Sequence, residues 1–311
     1  MPPARHAPGS RASQLDTVSN PIGLPSAVEA CSAGSGRFSS SLAADSVGRV
    51  DLQRAADLAI ALAREAGDVA VAERATARID AKGDGADLVT HVDRETERRI
   101  VEALRRAYPE HAILGEEGGE QGSDEGEYRW LIDPLDGTHN YVLGLDVYGV
   151  CITLCQRDRP VMAVVHDSPR RRTFWAIEGS GAFTAGDSDE SGSTAPRLVI
   201  EGAGALAHET VAFTQGYDVG HDDPRRNELF DRLERGTKRV LRSWAPSSDW
   251  ALLVTGGLGA LVAYRNEIWD LVGGALIATE AGAASWTSAD GDLVIVGRPD
   301  VVTALRELVT R

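Results

Sequence analysis

Lysine is almost missing from this chain: Lys82 and Lys238 stand against thirty arginines. An ammonium is a compact point charge and a guanidinium a planar fork, so the asymmetry draws attention to position 82. Cysteine is equally sparse, with Cys31, Cys151 and Cys155. The last two fall in one apparent strand, where four residues span roughly 13 Å. A disulfide needs Cα atoms within about 7 Å. They cannot pair there, and an odd, thin cysteine complement fits a reducing, cytoplasmic setting. No apolar run approaches the ~20 residues of a membrane span. Residues 1–50 contain Arg5 and Arg11 but no apolar core of the kind a secretory signal carries. No internal repeat is visible. Positive charge is short overall, leaving a formal net charge of -15, and a surface that negative repels nucleic-acid backbones. An anionic substrate could approach only if bound cations inverted the local field.

What is present suits a soluble globular protein: 42% apolar and 25% charged residues over a length that allows two domains or one large one. Residues 1–48 are rich in Ser, Ala, Gly and Pro without period and read as a disordered arm. An α+β half follows over 49–197 and a second half over 198–311. Apolar spacing predicts helices over Leu52 to Ala72 and Asp93 to Ala107, the latter stopped by Tyr108-Pro109. Short strands are expected at Ile113 to Gly115 and Arg129 to Ile132, with an acidic glycine-rich loop between them. A meander follows at Tyr148 to Cys155, Val161 to His166 and Thr173 to Ile177, its first turn at Arg157 to Pro160. A polar loop covers 186–196. The second half offers helices at Asn227 to Arg235, Ser248 to Thr255, Asp270 to Ala281 and Pro299 to Val309, and strands at Leu261 to Tyr264 and Leu293 to Val296. Such blocks suggest a layered α+β architecture.

Four short pieces carry chemistry. Asp133-Pro134-Leu135-Asp136-Gly137-Thr138 follows an apolar strand, and two carboxylates three apart can converge on a hard cation such as magnesium, which keeps places for water and phosphate. Gly137 and Thr138 then offer backbone N–H groups at a helix start. Read alone, Asp-Gly is also an ordinary turn pair. Glu116-Glu117 closes a strand, although two glutamates in an acidic loop are commonly just solvated. Asp270, after Trp269, opens an apolar helix and reads equally as a first-turn acid. Lys82 precedes Asp87-Leu88-Val89-Thr90 and Asp93, which on its own could simply cap a helix.

In this order and spacing the four pieces resemble the inositol monophosphatase family, within the wider group that includes fructose-1,6-bisphosphatases. The likeness extends over residues 50–311 and ends on Thr279-Glu280-Ala281-Gly282. It implies a layered α-β-α-β-α sandwich with the site at the junction of the halves. It implies two to three Mg2+ ions. Glu116, Asp133 and the carbonyl of Leu135 would hold one, Asp133, Asp136 and Asp270 a second, and a weaker third would sit by Glu116. Asp136 also falls among the phosphate-contacting residues, with Gly137, Thr138 and Lys82. Thr138, oriented by Asp93, would position an attacking water, with Glu117 supporting the ligands. The implied activity is hydrolysis of a small sugar-like or polyol phosphate, inositol 1-phosphate by default, in a lithium-sensitive homodimer.

The sequence departs from that pattern around the leaving group. Inositol-cleaving members carry an acid several positions before the Trp-Asp pair. Aligned without gaps from Asp270, that position falls on Ala263, with Arg265, Asn266 and Glu267 nearby; Glu267 is a substitute if the loop is remodelled. Trp244 is either core, the commoner fate of a lone Trp, or a surface on which a ring stacks. His139 either meets substrate or faces solvent. Histidinol phosphate, fructose 1,6-bisphosphate and 3'-phosphoadenosine 5'-phosphate therefore stay open as substrates, as does a noncatalytic regulatory binder.

Overall fold

A computed structural model describes residues 50–82, 87–122, 126–186, 195–202 and 204–311, excluding the side chains of Ala81, Lys82 and Asp87. The arm expected over 1–48, with Cys31, lies outside the described residues, as does most of the loop expected over 186–196.

The first long helix, α1 (Leu52–Glu73), starts where the Asp51 carboxylate accepts from the N–H groups of Gln53 and Arg54. A hairpin, β1 (Ile79–Lys82) with β2 (Asp87–Thr90), leads into α2 (His91–Ala107). Thr90 and Asp93 form a reciprocal capping box at its start, so Asp93 is not the cap itself but the third helical residue.

Next comes a seven-stranded sheet built from β3 (Ala112–Gly115), β4 (Gly119–Gln121), β5 (Tyr128–Asp136), β6 (Gly149–Gln156), β7 (Arg159–Asp167), β8 (Arg172–Ile177) and β9 (Gly181–Gly186). Its spatial order is β4-β3-β5-β6-β7-β8-β9, and only β3 and β5 run parallel. A short helix, α3 (Thr138–Leu143), lies between β5 and β6. The second sheet, β11-β10-β12-β14-β13, contains β10 (Thr210–Gln215), β11 (Arg239–Leu241), β12 (Ala260–Tyr264), β13 (Ala284–Thr287) and β14 (Leu293–Gly297). Here β10 runs parallel to both β11 and β12. The remaining helices are α4 (Pro224–Gly236), α5 (Pro246–Val254), α6 (Ile268–Glu280) and α7 (Pro299–Thr310).

Alternation along the strands builds the layers, because successive side chains point to opposite faces. On β7, Met162 and Val164 pack with α1 and α2, whereas Ala163 and Val165 face α5 and α6. On β12, Leu261 and Ala263 share that middle core, and Val262 and Tyr264 turn outward to α4 and α7. The result is five layers, α-β-α-β-α, as the resemblance implies. Each fully buried Val, Leu or Ile contributes about 1.5–3 kcal/mol to this packing. Cys151 and Cys155 are both buried on β6 and both free thiols. Among the described residues no helix is long and apolar enough to cross a membrane.

Candidate metal centre

The strand that carries the first acids does not stop at Ile132, where its apolar run ends, but continues to Asp136. Asp133 stands opposite Cys151 and Asp136 opposite Gly149, so residues 134 and 135 together face Val150 alone. This is a β-bulge, and Pro134, with no N–H for the ladder, occupies it. In a regular strand, residues three apart face opposite sides. One extra residue reverses that parity, and both carboxylates turn to the same side. On that side the start of α6 packs, with Val272 against Leu131 and Cys155, and Asp270 arrives with it. Carboxylate oxygens of Asp133, Asp136 and Asp270 lie within 4.8 Å of one another, all three residues buried.

Three buried like charges at that spacing disturb their own ionisation. Burial pushes Asp133 well above the usual carboxylate range, and the charges of Glu116, Asp136 and Asp270 push it further. Asp270 is raised well above its ordinary value by burial and by Asp136 and Glu116. Asp136 is raised to about 6 by burial, partly offset by hydrogen bonding from Ser247. That offset is visible as the Ser247 N–H donating to Asp136 Oδ2 at 2.6 Å. Ser247 can come so near because Gly149, opposite Asp136, has no side chain: a Cβ there would lie 2.6 Å from Ser247 Oγ. Asp270 Oδ1 is buried and accepts no hydrogen bond.

Glu116 follows β3 directly. Its N–H donates to the Ile132 carbonyl at 3.0 Å, one residue before Asp133. The Tyr217 hydroxyl donates to Glu116 Oε1 at 3.2 Å. The next two N–H groups, of Glu117 and Gly118, donate to the two oxygens of Glu97 at 2.9 and 2.7 Å. Leu135 donates its N–H to Asp133 Oδ1, and its carbonyl lies 3.0 Å from Thr138 Oγ1. Thr138 Oγ1 also donates to Asp93 Oδ1 at 3.0 Å. The other oxygen of Asp93 accepts from the Thr90 N–H at 2.9 Å and from the Thr90 hydroxyl. Burial lifts Asp93 to about 6, against the lowering effect of those Thr90 bonds. Gly137 turns the chain from β5 into α3 with φ 85°, a left-handed conformation that glycine adopts without penalty. A Cβ there would also meet the Val147 carbonyl at 2.8 Å. Lys82 lies on β1 opposite Asp87, its side chain outside the described residues.

Residues 51–310 match the model of the inositol monophosphatase family. The chain belongs to the inositol monophosphatase family. It is 36% identical to the Nus factor SuhB of Pseudomonas aeruginosa over 247 residues, 74% of this chain and 84% of that one. It is 28% identical to a fructose-1,6-bisphosphatase/inositol-1-monophosphatase of Aquifex aeolicus over 221 residues, 71% of this chain and 76% of that one. Among solved structures, the SuhB of Mycobacterium tuberculosis superposes with a TM-score of 0.68 at 28% identity, covering 84% of this chain and 97% of that one.

Within this inositol monophosphatase fold, sequence reasoning misses Glu97, Ser247 and Tyr217. Glu97 has a readable signal: it lies four residues after Asp93, on the same face of α2, and a buried carboxylate needs partners. Ser247 and Tyr217 have none, since each reaches the site only through the tertiary fold. Ala263 is buried in mid-strand on β12, in the core between the two sheets. Glu267 instead borders the site: its Oε1 accepts the Tyr217 N–H at 3.2 Å, and its charge contributes to raising Asp270. Trp244 is not core, with 51% of its surface exposed. His139 is exposed.

Proposed function

We propose that this chain is a Mg2+-dependent phosphomonoesterase acting on a small phosphate ester. The convergence of the Asp133, Asp136 and Asp270 carboxylates within 4.8 Å carries this reading. Buried acids that raise one another's proton affinity, one with an oxygen lacking any donor, fit a hard divalent cation that prefers oxygen ligands. Asp133, Asp136, Asp270, Glu116 and the Leu135 carbonyl are the proposed ligands, for two to three ions. When bound, such ions supply Lewis acidity and positive charge for a phosphoryl group and a water.

The chain's own residues then manage a proton. Thr138 gives its hydroxyl hydrogen to Asp93, which leaves the threonine oxygen to accept the hydrogen of a water that attacks phosphorus. As that water oxygen bonds to phosphorus its proton passes through Thr138 to Asp93, the ester P–O bond breaks, and the departing oxygen takes a proton from a second water, whose hydroxide the Asp93 proton then neutralises. Gly137 and Thr138 offer N–H groups to the phosphate, and the family resemblance adds Lys82 to that set. Glu97 and Glu117 hold the segment that bears Glu116. The family match and the name of the Aquifex relative support a phosphatase and leave its substrate open. On the family resemblance alone inositol 1-phosphate is the default, with histidinol phosphate, fructose 1,6-bisphosphate and 3'-phosphoadenosine 5'-phosphate as alternatives. Lithium inhibition and a homodimer belong to the same reading.

The test is phosphate release with magnesium, with and without EDTA, across those esters. Turnover abolished by EDTA supports the proposal; folded protein that hydrolyses none of them overturns it. The name Nus factor on the Pseudomonas relative favours a second reading, in which the chain acts through protein contacts. That reading gains ground if partner binding survives Asp133→Asn.

A further inference from the structure

One side of the site is bordered by the carboxyl ends of three parallel strands. β10, β11 and β12 run parallel, and in such sheets ligands lie beyond those ends. Beyond β10 comes Tyr217, which donates to Glu116; beyond β11 come Arg242 and Trp244; beyond β12 come Glu267 and Asp270. Two of these are large aromatics in the open, Tyr217 at 59% exposure and Trp244 at 51%.

Trp244 is tied to the centre on both sides. The preceding carbonyl, of Ser243, accepts from Asn140 Nδ2 at 2.7 Å, two residues past Thr138. The following residue, Ala245, lies so close to Gly137 that a Cβ on the glycine would be 2.9 Å from the alanine's own. The backbone bearing the indole is therefore fastened to the Gly137–Asn140 turn. Its φ is 56°, a left-handed conformation that costs a tryptophan energy and that burial of the ring does not repay. Arg242 lies over the indole at 4.6 Å. Its guanidinium is held by Gln215 Oε1 at 3.1 Å, an oxygen shared with Arg226 at 2.7 Å. The ring is thus braced by a cation that is itself fixed, and it still presents half its surface to solvent.

The geometry points to Trp244 as a stacking platform for a flat ring carried by the alcohol part of the substrate, so that the favoured ester is a nucleotide-like monophosphate with an aromatic base rather than a bare polyol phosphate. This rests on the phosphatase reading above. Stacking on an indole tolerates any base, and the guanidinium behind it adds positive potential in an acidic protein.

The experiment compares adenosine 5'-monophosphate with glycerol 2-phosphate on the full magnesium-loaded chain, for wild type, Trp244→Ala and Trp244→Phe, with circular dichroism to check folding. Wild type should favour the adenosine ester in kcat/KM. Trp244→Ala should lower that preference about tenfold, mainly through KM, and Trp244→Phe should keep most of it. An unchanged preference in Trp244→Ala, or a wild type that favours glycerol 2-phosphate, overturns the platform. If neither ester is hydrolysed, the phosphatase reading is judged by the ester panel above, and calorimetric titration with adenosine 5'-monophosphate decides the platform alone. Binding weakened about tenfold in Trp244→Ala supports it, and equal binding overturns it.

Discussion

The indole N–H of Trp250, buried on α5, donates to the main-chain carbonyl of Asp270 at 2.8 Å. One helix of the middle layer thereby fixes the first turn of the other, at the residue whose carboxylate completes the acidic cluster. A Cβ on Gly274, one turn further on, would lie 2.1 Å from the same indole. Trp250→Phe should cost about 1 kcal/mol through the lost hydrogen bond. Gly274→Ala should cost more, about 1–3 kcal/mol, through overpacking. Urea denaturation of both variants measures the difference.

Replacing Asp133 separates function from stability. Asp133→Asn should reduce phosphate release at least about a hundredfold while the protein stays folded. In EDTA the variant should melt no lower than wild type, because one repelling buried charge is gone. Magnesium should raise the melting temperature of wild type more than that of the variant. Near-normal turnover would remove Asp133 from the proposed ligand set.

Glu97 acts through the backbone that bears Glu116, accepting the N–H groups of Glu117 and Gly118. Glu97→Gln keeps one acceptor oxygen and loses the other, so one of two N–H groups loses its partner. The expected effect is a magnesium requirement shifted upward by about 10–100-fold, with turnover recovered at saturating metal. A plain loss of kcat at saturating magnesium would contradict this.

Asp93, raised to about 6, accepts the Thr138 hydrogen only when ionised. Activity should fall as pH drops through about 6, towards tenfold per unit below it. Asp93→Asn should be slow throughout and lack that acid limb. A profile flat from pH 7 to 5 in wild type would exclude Asp93 as the acceptor.

His166, buried on β7 with its Nδ1 3.0 Å from Thr173 Oγ1, is lowered to about 4 by burial and by the charges of Arg64 and Arg171. Its folded value lies below the ordinary 6.5. Its contribution to stability is therefore complete above pH 6.5 and is lost as pH falls towards 4. The shift corresponds to about 3 kcal/mol. His166→Gln should flatten the fall in unfolding free energy over that window by a similar amount, read by denaturation at pH 7, 5.5 and 4.

Sequence pattern reaches the long elements and the acids but not what joins them. α1, α2, α6 and α7 announce themselves by apolar spacing, and β6 to β8 by continuous apolar runs. The strands β1, β2, β4, β11 and β13 have only three or four residues, too few to show a period of two. β10 is longer, but its apolar run, Val211 to Phe213, is too short to tell a strand from a buried helical segment. Asp133, Asp136 and Asp270 are legible as types and spacings, whereas the convergence of all three is legible only through the family resemblance. An ordinary turn and a bulged strand write the same Asp-Pro-Leu-Asp, and only pairing with β6 distinguishes them. Trp244 misleads for a related reason: composition makes a lone tryptophan core, and its exposure is decided by the Ser243–Ala245 turn.

The bulge at Pro134 also sets how this centre can be lost. A point substitution removes one oxygen ligand and leaves the rest aimed where they were. Inserting a single residue into β6 between Gly149 and Cys151 would preserve every acid in the chain, yet give residues 134 and 135 a partner each and straighten the bulge. One carboxylate would then be carried through the sheet into the apolar layer beneath α1 and α2. For anyone transplanting this centre into another sheet, the spacing to copy is the odd count across the irregularity, and the identity of the residues inside it comes second.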